Sequence, residues 1–196
     1  MVTDKIYSVI LKLIRIIFIL CIIKNIFIKN YFIALVALSG ILLTLSPFII
    51  SKILNHDLSC HIKIFIILFI FIALYLGSIH NFYSFKCFDT FLHFSSGVML
   101  SFIADNWISI EYKKTDIKKF SLFFTNVFTI SFAVFCGVVW EIYEFSMDTF
   151  FNLDMQRIKA FKFSDTMIDL IADLSGALLF ILIKYIYNKK KKKNLT

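Results

Sequence analysis

From Tyr31 to Ile50 the chain runs for about 20 residues without a charge, the length a helix needs to cross the hydrocarbon core of a bilayer. In lipid the backbone must satisfy its own N–H and C=O groups, so only helices and closed barrels are available to such a stretch. The run is not isolated. Comparable apolar segments occupy 7–28, 62–79, 88–110, 120–145 and 165–187, each far longer than a barrel strand requires. With 60% hydrophobic residues, 25 Phe and a mean hydropathy of +0.85, the chain is too apolar for an ordinary soluble domain. The expected fold class is all-α: a polytopic transmembrane helical bundle of about six spans, forming a single integral-membrane domain over 1–196 with a basic tail at 188–196.

The segment 7–28 is interrupted by Lys12, Arg15 and Lys24. Long basic side chains snorkel near span ends, so this segment either crosses the membrane or lies on it as an amphipathic helix. No small-residue cleavage site follows it, and a signal peptide is not expected. The four cysteines are scattered without CxxC spacing and indicate neither a disulfide framework nor a zinc site.

The net charge of +8 does not point to nucleic acid, because the excess sits in the tail Lys189 to Lys193 and in short loops between apolar runs. With six spans, the basic residues of the N-terminus, the loop Lys52 to Lys63, the loop Lys113 to Lys119 and the tail share one side of the membrane. Fewer stand opposite: Lys24, Lys29, Lys86, Arg157, Lys159 and Lys162. The positive-inside rule then places both termini in the cytoplasm, and a bacterial inner membrane is expected.

Against this apolar background the acidic residues are conspicuous. Glu141, Glu144 and Asp148 fall at i, i+3 and i+7, so in a helix they share one face. Asp165, Asp169 and Asp173 repeat the device at i, i+4 and i+8, and Asp89 and His93 form an i, i+4 pair. Each ionised carboxylate inside a span costs a few kcal/mol, so such groups normally face a partner, a cavity or an ion. Under the expected topology all three groups lie in the outer half of the bilayer. So many carboxylates beside one imidazole require bound protons or a compensating cation. Oxygen-rich sets with one His suit Mg²⁺, Mn²⁺ or Zn²⁺, and the mixture does not choose among them.

The residues expected to bind such a metal, or protons, are His93, Glu141, Glu144, Asp169 and Asp173, with Asp89 as a ligand or as the group orienting His93. Asp148, Gln156, Arg157 and Asp165 are accessory polar residues. Plainer readings stand beside these. Asp165 next to Ser164 fits a helix N-terminus, Asp148 a solvated helix end, and Arg157, Lys159 and Lys162 fit ordinary ion pairs. Gly97 and Gly176 fit close helix packing, and Trp107 and Trp140 fit interfacial or packing aromatics.

The patterns Asp89-x-x-x-His93-Phe94-x-x-Gly97, Trp140-Glu141-x-x-Glu144-Phe145-x-x-Asp148 and Asp165-Thr166-Met167-x-Asp169-Leu170-x-x-Asp173-x-x-Gly176, with Gln156 between, resemble the YjdF-like family of uncharacterised bacterial inner-membrane proteins. The resemblance covers about the last two-thirds of the chain and implies a six-span membrane protein, without a particular reaction. A looser likeness links the spacing to VanZ-like proteins. The chain departs from that pattern at Glu144, where a Gln would stand, and at Asp169 or Asp173, where an Asn would.

Three functions compete on this reading. One is an enzyme in which a metal-activated water attacks a lipid or cell-envelope precursor. Another is a transporter that passes protons or cations through the acids, for which the cytoplasmic half offers mainly Asp105 and Asn106. The last is a non-catalytic envelope accessory whose buried network fixes helix packing. The lipid bilayer is the expected partner, with a lipid or envelope-precursor ligand; oligomeric state is not legible.

Overall fold

The computed structural model of the chain describes residues 2–115, 121–156 and 164–193. Every regular element among them is a helix. These are α1 (Val2–Phe27), α2 (Tyr31–Leu43), α3 (Ser46–Ile53), α4 (Cys60–Phe71) with its π-helical continuation Ile72–Ile79, a 3₁₀ turn (Phe82–Ser84), α5 (Lys86–Thr115), α6 (Leu122–Phe151) and α7 (Ser164–Lys193). Six helical stretches are long and apolar enough to cross a membrane: Val2–Phe27, Tyr31–Ile53, Cys60–Ile79, Cys87–Tyr112, Leu122–Phe151 and Asp165–Lys191. The all-α, multi-pass architecture expected from the sequence is the one observed. Large apolar side chains stand exposed along these helices, as lipid-facing surfaces require.

The chain divides into two compact units, Met1–Phe88 and Asp89–Thr196. In the first, Phe18 and Ile14 of α1 meet Ala37 of α2 and Ile67 of α4 in a fully apolar core. Gly40 lets the Phe18 ring lie against the α2 backbone, where an added Cβ would stand 2.7 Å from the ring. Arg15 is not left in lipid as a bare charge: its Nε donates to Thr44 Oγ1 at 2.9 Å. The second span is two helices, broken at Thr44 and Leu45. Pro47 then sits in the first turn of α3, where its missing N–H costs nothing.

The π-helical turns Ile72–Ile79 carry a stacked Phe71–Tyr75 pair at 4.7 Å and the small Gly77, against which Tyr83 packs. In the first turn of α4, Lys63 Nζ donates to Asp57 of the preceding loop at 2.6 Å, and that bond holds the Asp57 carboxyl below its usual range.

In the second unit α5, α6 and α7 run in alternating directions. The start of α5, the end of α6 and the start of α7 therefore share one end of the unit. Helix α6 continues to Phe151, past the expected limit at 145, so the whole Glu141–Asp148 ladder is helical. It closes on Asn152 in the left-handed conformation (φ 54°), a common helix terminator for Asn.

Two glycines bring α5 and α7 into backbone contact. A Cβ at Gly97 would collide with the Asp173 carbonyl, and one at Gly176 with the Phe94 carbonyl. This reciprocal approach is the small-residue packing of membrane helices. Further along, Lys184 on α7 pairs with Asp105 on α5.

Candidate functional site

At the shared end of the second unit the sequence places acids on one face of each helix, and the fold turns those faces inward. Asp89 and His93 come from the first two turns of α5, Glu141 and Glu144 from α6, and Asp165, Asp169 and Asp173 from the first three turns of α7. All seven are buried. The i, i+3 and i, i+4 spacings produce this, because they stack side chains on one helix face.

Asp173, fully buried, lies at the floor. Its Oδ2 is 3.0 Å from His93 Nδ1, and Ser96 Oγ donates to its Oδ1 at 2.6 Å. Gly137 on α6 gives this carboxylate its seat, since a Cβ there would overlap Oδ2. In the neutral imidazole, a carboxylate acceptor at Nδ1 selects the tautomer protonated on that nitrogen and leaves the Nε2 lone pair available. Nε2 faces Glu141, whose Oε1 is 3.6 Å away.

Three oxygens at this place have no hydrogen-bond partner among the described residues: Glu141 Oε1 and Oε2, and Asp169 Oδ1. Glu141 is 5% exposed and Asp169 2%. A buried carboxylate oxygen without a donor loses hydration and regains nothing, so three together call for bound protons or a cation between them. His93, Glu141 and Asp169 each direct one ligand atom to a common place, all within 4.8 Å of one another. Asp89, Asp165 and Asp169 form a second such group by the same measure.

The other expected site residues have different surroundings. Glu144 is buried but stands outside both groups, its Oε1 accepting from Trp140 Nε1 at 2.8 Å. Asp148 ties down the chain after α6, accepting from the backbone N–H of Met155 at 2.6 Å and of Gln156 at 3.0 Å. Gln156 in turn donates from its amide to Thr166 Oγ1 at 3.1 Å, fastening that turn to α7. Arg157, Lys159 and Lys162 lie outside the described residues.

The group oriented toward His93 Nδ1 is Asp173, where the sequence offered Asp89 for that task. Asp89 instead joins Asp165 and Asp169. Ser96 and Gly137 were not singled out from sequence. Each falls one turn from a site residue, Ser96 at three residues after His93 and Gly137 at four before Glu141, and that spacing is the signal that marks them.

Fold and site together define the class: a multi-pass helical membrane protein with a buried carboxylate and imidazole cluster at one end of its last three long helices. The chain belongs to the family described as "Predicted membrane protein (DUF2238)", whose model matches residues 8–190. A protein of Thermotoga maritima, described as "Uncharacterized protein", is 31% identical over 152 residues, covering 74% of this chain and 71% of its own length. No solved structure matches the chain.

Proposed function

We propose that this protein binds a divalent cation through His93 Nε2, Glu141 and Asp169, and uses it to act on a lipid or cell-envelope substrate in a bacterial inner membrane. The observation that carries the reading is the set of buried oxygens on Glu141 and Asp169 without a hydrogen-bond partner among the described residues, beside His93 Nε2. One nitrogen and carboxylate oxygens suit Mg²⁺, Mn²⁺ or Zn²⁺. Asp173 would fix the imidazole, as carboxylates behind metal-binding histidines commonly do. A cation held there would acidify a bound water, and a neighbouring carboxylate would take the proton.

The positive-inside bias supports cytoplasmic termini and a site in the outer half of the bilayer. The likeness of the acidic motifs to YjdF-like inner-membrane proteins supports the membrane placement and leaves the reaction open. A proton or cation pathway is less well supported, because Asp105 and Lys184, which lie away from the cluster, are paired with each other.

The test is metal analysis of the purified full chain beside Glu141→Gln plus Asp169→Asn, with folding monitored. A metal bound by the wild type and lost by the folded double variant is the expected result. Glu144→Gln, whose carboxylate is held by Trp140, should keep the metal. A metal-free wild type that takes up no added Mg²⁺, Mn²⁺ or Zn²⁺ overturns the reading and leaves proton binding or structural pairing.

A further inference from the structure

The cluster contains more ligating atoms than one cation uses. Besides the group formed by His93, Glu141 and Asp169, the Asp89, Asp165 and Asp169 carboxylates converge to within the same 4.8 Å. Asp169 belongs to both. It has two carboxylate oxygens, is 2% exposed, and presents Oδ1 with no hydrogen-bond partner among the described residues. A carboxylate shared by two adjacent ligand sets is the ordinary means of holding two divalent ions about 3.5–4 Å apart.

Burial leads the same way: Asp89, Asp165 and Asp169 are shielded from bulk water, as the first group is. We propose that this end of the second unit is a two-cation site in which Asp169 bridges an ion held by His93 and Glu141 to a second ion held by Asp89 and Asp165. This rests on the cation-binding reading above and adds the second ion.

The two positions differ in chemistry. The first has an imidazole nitrogen and suits Mn²⁺ or Zn²⁺; the second is all oxygen and suits a harder ion such as Mg²⁺ or Mn²⁺. Mn²⁺ fits both and reports on proximity, because two ions bridged by one carboxylate couple magnetically.

The experiment strips the full-length protein with chelator, reloads it with Mn²⁺, removes the excess, and measures bound Mn²⁺ per chain together with its electron paramagnetic resonance spectrum. The expected result is two equivalents and a spin-coupled spectrum. Asp89→Asn plus Asp165→Asn should retain one equivalent with the six-line spectrum of isolated Mn²⁺, and Glu141→Gln should do likewise through the other position. Asp169→Asn should weaken both.

A wild type that saturates at one equivalent with an uncoupled spectrum overturns the pair while leaving the cation-binding proposal standing. A wild type that binds none overturns both. Two equivalents without coupling, or an Asp169→Asn variant that keeps both ions as tightly as wild type, overturns the bridge. Should a variant fail to fold, the wild-type stoichiometry and coupling still decide.

Discussion

At His93 the two ring nitrogens meet different neighbours: Nδ1 lies 3.0 Å from the Asp173 carboxylate, while Nε2 faces Glu141 at 3.6 Å. In the cation-binding proposal Asp173 is therefore a positioning residue, acting through the imidazole rather than on the ion. Asp173→Asn keeps an oxygen for the Ser96 hydroxyl and nearly the same volume in the Gly137 seat, so the fold should survive. It removes the charge that fixes the His93 tautomer. Mn²⁺ affinity should fall about 10–100-fold, the usual cost of losing an outer-shell carboxylate. Titration of the folded variant checks this, and unchanged affinity would separate Asp173 from the metal. Because the ligands bind as deprotonated groups, acidification should release the metal from wild type as well.

At the scale of the helix, the α5–α7 contact is set by two glycines and two ion pairs. Gly97 and Gly176 leave room only for the opposing backbone, so Gly97→Ala and Gly176→Ala each force the helices apart. A loss of about 1–3 kcal/mol is expected, as for other overpacked contacts, seen as lower thermal stability in detergent. Ser175→Ala, one residue away on an exposed face, should be neutral. The sequence made much of this element legible. Hydropathy placed the spans, and the periodicity of the acids named the faces that turn inward. Gly97 and Gly176 were readable as packing positions because small residues have that use in membranes. Partner choice was not readable. Helical spacing says which side chains share a face of one helix, but which acid reaches His93 depends on the relative height of neighbouring helices. That height is set by backbone contacts distant in sequence, and it brings Asp173 to the imidazole and groups Asp89 with α7. The pair Asp105–Lys184 was hidden for the same reason, as was the π-helical end of the third span, whose wider turns have no distinct hydropathy pattern.

For the whole molecule, the proposed orientation makes a labelling prediction. Cys60 begins α4 and Cys87 lies in the first turn of α5, at opposite ends of the intervening span. Cys87 is exposed. In intact cells carrying single-cysteine variants, a membrane-impermeant maleimide should react at Cys87 and not at Cys60. The reverse pattern would invert the topology and move the acidic cluster to the cytoplasmic half. The two units also divide the chemistry: the first has an apolar core, and the second holds all the residues of the two ligand groups. Helix α7 gives this division a temporal meaning. Between Asp173 and Lys184 its charge-free stretch, Leu174 to Ile183, rises only about 15 Å, half of a hydrocarbon core of about 30 Å. Alone in lipid it would carry a charge into the core at one end or the other. Helix α5 holds a polar partner for each end, His93 for Asp173 and Asp105 for Lys184. Since α5 precedes α7 in the chain, both partner groups are synthesised before the last helix emerges.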